Sequence, residues 1–211
     1  MIKKNKIQLI ISSVATLVPI VIGLILWNDL PQQIATHWGM NGEPDGYSSK
    51  AFVVFGLPLI LLAIQWFCAV GTTKFDPKAK DISPKMMSVV LWIIPVISIV
   101  LSSFSYLVAL GKEIRVALVV NILMGVMFIV IGNYLPKCKQ SYTMGIKLPW
   151  TLESEENWNK THRFAGVLWF IGGIVILATT IFESLIISFT ITILMAIVPT
   201  VYSYLLYKKN K

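Results

Sequence analysis

Two histidines, two cysteines and ten carboxylates are the side chains from which this 211-residue chain would have to build a catalytic or metal-binding centre. His37 has Trp38, Glu43 and Asp45 close by in sequence, whereas His162 stands beside Arg163, with Glu153, Glu155, Glu156 and Cys138 ahead of it. A structural or catalytic metal needs three or four such ligands converging on one point. The apolar runs between the two histidines put them on opposite membrane faces, so they do not share an ion. No Gly-rich phosphate loop and no Ser/His/Asp grouping occurs. The pair Cys138 and His162 lacks the orienting third group that activates a nucleophile. We therefore expect no metal, no cofactor and no catalysis, with Cys68 packed inside an apolar run and Cys138 an incidental thiol in a basic loop.

The chemistry that remains is recognition, and two polar segments carry it. In residues 28–50, Gly39, Gly42, Pro44 and Gly46 alternate with Asn41 and Asp45, types that fix tight turns or tolerate positive φ. This predicts a compact loop displaying His37, Trp38 and Tyr47. With Asp29, Glu43 and Asp45 against Lys50 its net charge is about −2, which suits a basic or amphipathic ligand; the alternative is that Trp38 and Tyr47 only rest at the interface while the glycines shape the turn. In residues 136–163, Ser154 followed by Glu155 and Glu156 reads as a helix N-terminus, and Glu156 and Lys160 are spaced as an i,i+4 pair. Trp158, His162 and Ala165 fall on one stripe, which predicts a short helix along the membrane surface that continues into the next span, with Gly145 and Pro149 re-aiming the chain before it.

The elements that position these segments are membrane spans. Hydrophobic residues make up 56% of the chain and charged residues only 13%, so a water-soluble fold of this size is excluded. A net charge of +8 would elsewhere suggest nucleic acid, but basic residues at the ends of long apolar runs face anionic lipid instead. Six runs are long enough to cross about 30 Å of hydrocarbon: Ile7 to Trp27, Ala51 to Val70, Met86 to Leu110, Val116 to Leu135, Phe164 to Phe182, and Leu185 to Tyr207. The last two are separated by little more than Glu183 and Ser184. The first is too long for a signal core and should stay in the mature protein.

Lysine and arginine favour the cytoplasmic side. With the N-terminus inside, fifteen of the eighteen fall on inner segments, from Lys3, Lys4 and Lys6 through Lys74, Lys78, Lys80 and Lys85 to Lys208, Lys209 and Lys211. The expectation is an all-α polytopic membrane protein of six helices with both termini in the cytoplasm. It forms a single integral domain, 1–211. No Asp, Glu, Lys, Arg or His interrupts the spans, which argues against proton-coupled transport. Asn121 is expected to join helices through its amide, Pro19, Pro58, Pro95 and Pro199 to shape helix packing, and Trp27, Trp150, Trp158, Tyr202, Tyr204 and Tyr207 to anchor span ends at headgroup depth.

Two motifs resemble a known family. The segment Leu30-Pro31-x-x-Ile34-x-x-His37-Trp38, followed by Asp45-Gly46 and Lys50, is similar to the module DUF1648. The run from Gly132-Asn133-Tyr134-Leu135-Pro136-Lys137 through Gly145-Ile146-Lys147, Pro149-Trp150-Thr151-Leu152, Ser154-Glu155, Trp158 and Thr161-His162-Arg163 resembles the SdpI/YfhL family. Ser141, Lys147 and Leu148 depart from the residues expected there, Asn, Arg and Thr; Lys147 lacks the planar fork of arginine. The resemblance implies a DUF1648-like hairpin over 7–70 and an SdpI-like region over 116–207. It also implies a bacterial plasma-membrane protein that protects against a secreted antimicrobial peptide and signals by holding an ArsR-like repressor at the membrane, without binding nucleic acid itself. On that reading His37, Trp38, Gly42, Asp45 and Tyr47 face the toxin, and Gly145, Lys147, Pro149, Trp150, Trp158, His162 and Arg163 face a cytoplasmic partner. The competing readings are a membrane enzyme or transporter acting on a lipid or small amphiphile, and an inner motif that serves only as a structural hinge.

Overall fold

The computed structural model describes residues 5–79, 82–182 and 184–209; Lys3, Lys4, Lys80, Lys211 and Glu183 lie outside the described residues. Within them are six helices long and apolar enough to cross a membrane. They are α1 (Lys6–Ile25), α2 (Leu57–Lys74), α3 (Pro84–Ala109), α4 (Val116–Tyr134), α6 (Glu155–Ala178) and α7 (Leu185–Lys209), with a short α5 (Pro149–Glu153) ahead of α6. The chain is a multi-pass membrane protein. Local chemistry sets several ends: Ser83 Oγ accepts the Met86 N–H at 3.2 Å with Pro84 at the first helical position. A π-helical turn, Phe52–Gly56, precedes α2. Pro58, lacking an N–H, cannot bond the Val54 carbonyl four residues back, and its ring displaces that carbonyl into the wider turn.

Residues 28–50 differ from the expected turn-only loop. They form an antiparallel hairpin of β1 (Gln33–Trp38) and β2 (Pro44–Ser49), with Gly42 at φ +80° in its tip. Register shifts fall on either side of His37, and in the regular stretch before them Ile34 and Ala35, adjacent in sequence, are both buried, one on each face of the strand. The shifts and the burial on both faces are why no period-2 pattern is visible in the sequence.

The helices pack as two groups of three. Gly23 of α1 lies against Val54 and Tyr106, while Leu9 clusters with Ala69, Met87 and Leu91. Thus α1 and α3 run parallel and α2 runs against them. A fully buried polar seam joins these three: Thr16 Oγ1 donates to Gln65 Oε1 at 2.6 Å, Gln65 Nε2 donates to Ser12 Oγ at 2.6 Å, and Ser98 Oγ donates to the Thr16 carbonyl at 2.9 Å. In the second group α4 and α6 are close enough that a Cβ on Gly132 would meet the Gly166 carbonyl at 2.8 Å, the approach that small residues permit in membranes. Trp169 Nε1 of α6 reaches the Met195 carbonyl of α7 at 2.8 Å. The groups meet along α3 and α4, where contact is sparse. The α1–α2 hairpin and the α3–α4 link share one end of the bundle. The described termini and the α2–α3 and α4–α6 links share the other, which holds most of the lysines.

Three further expectations are corrected. Residues 155–163 do not form a separate surface helix; they are the first turns of α6, and the Trp158, His162, Ala165 stripe is buried. Trp158 is therefore core, not an interfacial anchor. The cysteines exchange environments, Cys68 being exposed on α2 and Cys138 buried. Asn121 is fully buried in α4, but its amide finds no partner among the described residues, so it joins no helices by a hydrogen bond.

Candidate functional site: a cleft under the hairpin and a latched loop

Beneath the hairpin, between α2, α3, α4 and α7, lies an open cleft of about 830 Å³. Its wall is apolar, with Leu57, Ile60, Leu61, Ile97, Phe104, Val120 and Phe189, relieved by Ser102 and Ser105. Its mouth is made by β1 and β2: His37 Nδ1 contacts Asp45 Oδ1 across the ladder, and the half-buried Trp38 ring packs on Phe104 with centroids 4.9 Å apart. Gly42 lines a smaller recess of about 200 Å³ with Met40, Ile114 and Arg115. Tyr47 is exposed on the outer face of β2. An apolar groove roofed by an aromatic ring and a hydrogen-bonded His37–Asp45 pair is shaped for an amphipathic occupant.

By sequence Lys50 is one of the loop charges. The structure buries it: Nζ donates to the Trp27 and Leu30 carbonyls at 2.8 and 3.0 Å and sits 4.8 Å from the centroid of the Trp27 ring. A cation there satisfies carbonyls just beyond the C-terminus of α1, where the helix dipole is negative. The hairpin surface is accordingly left with exposed Asp29, Glu43 and Asp45.

At the opposite end, residues 138–148 are fixed by the α2–α3 link. Asp76, almost fully buried, accepts from Ser141 Oγ, from Thr143 Oγ1 at 2.8 Å, from the Tyr142 and Thr143 N–H groups at 3.0 and 3.1 Å, and from the Lys78 N–H at 2.8 Å. Burial pushes its pKa up, but the donated hydrogen bonds outweigh it and hold the carboxyl below the usual carboxylate range. Lys78 Nζ contacts Gln140 Oε1, and Gln140 Nε2 reaches the Thr151 and Leu152 carbonyls at 2.9 and 2.8 Å. Sequence reasoning missed Asp76, Lys78 and Gln140; the Asp76-Pro77 turn signal between two spans was the available clue.

His162 closes the loop from α6. Its Nδ1 lies 2.8 Å from the Trp158 carbonyl and its Nε2 accepts the Ile146 N–H at 2.9 Å, a pattern met by the neutral Nδ1–H tautomer. The ring stacks on Trp158 at 3.9 Å, and Trp158 Nε1 donates to the Cys138 carbonyl at 2.8 Å. Gly145 has φ +102°, and a Cβ there would collide with His162 Nε2 and the Trp158 ring. The predicted cap and pair are present: Ser154 Oγ accepts the Asn157 N–H at 3.2 Å, and Lys160 Nζ lies 2.7 Å from Glu156. Trp150, starting α5 with Pro149, donates to Ser203 Oγ at 2.9 Å and stacks on Tyr207. Of the seven predicted partner-facing residues, Trp158 and His162 are thus inside, Trp150 is half-buried on α7, and Lys147, Pro149, Arg163 and the backbone of Gly145 reach the surface. Lys147 Nζ donates to the Thr143 carbonyl at 3.2 Å. Burial pushes the Cys138 thiol up to about 11, with the Asp76 charge adding to it.

The fold and these two ends define a class: a six-helix membrane protein with an amphipathic cleft at one end and a rigidly held basic loop at the other. Residues 137–203 match the SdpI/YfhL protein family, and residues 14–62 match a domain of unknown function, DUF1648. The chain is 29% identical to the Immunity protein SdpI of Bacillus subtilis (strain 168), over 98% of this chain and 97% of that protein. The chain is thus similar to the SdpI/YfhL family over residues 137–203, with a segment similar to DUF1648 ahead of that region. No solved structure matches it.

Proposed function

We propose that the protein is a plasma-membrane immunity protein, without catalysis, that protects its cell by capturing a secreted, membrane-active peptide in the cleft under the hairpin. The observation that carries this reading is the cleft itself: an apolar wall suited to the greasy face of an amphipathic peptide, and a mouth with His37, Trp38 and Asp45 beside an acidic surface suited to its cationic face. The kinship with an immunity protein supports it. The gathering of lysines at one end favours that end in the cytoplasm, which supports a hairpin that faces outward, where a secreted peptide arrives. In the test, sensitive cells carry Ile60→Trp, which fills the cleft from a half-exposed position. Protection should fall to that of cells lacking the protein while membrane abundance is unchanged; full protection by this variant would contradict the proposal.

At the cytoplasmic end, the surface of Lys147, Pro149 and Arg163 on its fixed loop is the face offered to a partner, which on this reading includes an ArsR-like repressor held at the membrane. Lys147→Glu together with Arg163→Glu should abolish that recruitment and leave protection intact. A membrane enzyme using His162 gains no support, because both ring nitrogens are engaged inside the protein.

A further inference from the structure

A second cavity, of about 570 Å³, runs along the α3–α4 seam at the lysine-rich end. It shares no lining residue with the cleft under the hairpin. Trp92, Val96, Val126 and Val130 line it, and all four are exposed although they lie within spans, so the groove opens on the side where the bilayer lies. From Lys85 to Val96 it follows α3 for about three turns, roughly 16 Å at 1.5 Å per residue, ample for much of one extended acyl chain. Its far end is chemically different. Lys85 lines it there, and Tyr134 from α4 stands at the same end with Lys137 Nζ 5.3 Å from the centroid of its ring. An apolar trough ending in two ammonium groups at the membrane boundary matches an amphiphile with a negative head.

We propose that this groove is a binding site for one anionic phospholipid, its acyl chain lying between α3 and α4 and its phosphate held by Lys85 and Lys137. The site stands independently of the immunity reading. Among the described residues α3 and α4 meet only sparsely along this seam, and the lipid fills space that side chains leave open.

The test uses the full chain, purified in detergent and equilibrated with equal amounts of phosphatidylglycerol and phosphatidylcholine, with retained lipid counted by native mass spectrometry. The wild type should keep phosphatidylglycerol over phosphatidylcholine by at least about fivefold. Lys85→Gln with Lys137→Gln should bring that ratio near one, Lys85→Arg with Lys137→Arg should preserve it, and Val130→Trp should displace lipid of both kinds. Equal retention by the wild type would overturn the proposal. So would an equal loss of preference in Lys208→Gln with Lys209→Gln, since that would show a general attraction of the basic end and not a site.

Discussion

At the scale of single residues, the positions that matter most are those whose chemistry is consumed inside the protein. Lys50 is the clearest: replacing it by Met leaves the Trp27 and Leu30 carbonyls without their donor, and a loss of about 1–3 kcal/mol in detergent unfolding is expected. Gly145→Ala is expected to cost a similar amount or more, because a positive φ and a collision with His162 coincide; unfolding at the wild-type midpoint would refute that account. Cys138, buried and with its thiol pKa about 11, should resist maleimide in the native protein at neutral pH and react once denaturant is added. The types at these positions were visible in the sequence, but their partners were not. Lys50 reads as a surface charge, because nothing local shows that the end of α1 lies over it. His162 reads as a candidate for chemistry, because the Ile146 N–H that occupies it is distant in sequence.

At the scale of elements, the spans were the most legible feature, since about 20 apolar residues leave no soluble alternative, and all six are present with ends shifted by a few residues, except that the fifth helix starts at Glu155 and not at Phe164. The Ser154 cap and the Glu156–Lys160 pair were equally legible, being local. The hairpin was not, because bulges around His37 remove the alternation that identifies strands. The direction of the 155–163 turns was also hidden: the same stripe of Trp158, His162 and Ala165 suits a membrane surface or a protein loop, and only the folded 138–146 segment decides between them. The Asp76 latch ties the α2–α3 link to that segment. Its depressed pKa fixes the pH response: the carboxylate stabilises the loop at all pH above the unfolded value near 4, and this contribution is lost as pH falls through the lower folded value. Asp76→Asn should mimic the acid form at neutral pH, costing about 1–3 kcal/mol and opening Lys137 and Lys139 to trypsin. An unchanged digestion rate would mean that the loop holds its shape without the carboxylate.

At the scale of the molecule, two three-helix groups meet at a sparse seam, with the cleft under the hairpin and the α3–α4 groove towards opposite ends and a latch of Asp76, Lys78 and Gln140 across the lysine-rich end. The cleft could not be read from the sequence, since its wall joins residues from four helices and a hairpin. The account assigns capture to the hairpin end and partner contact to the lysine-rich end, so it depends on which end faces outward. That is measured by treating intact cells with a membrane-impermeant maleimide, in a Cys68→Ser background, at single cysteines placed on two exposed positions. Tyr47→Cys should be labelled in intact cells, and Lys147→Cys only after the membrane is opened. Labelling of Lys147→Cys but not Tyr47→Cys in intact cells would contradict the account.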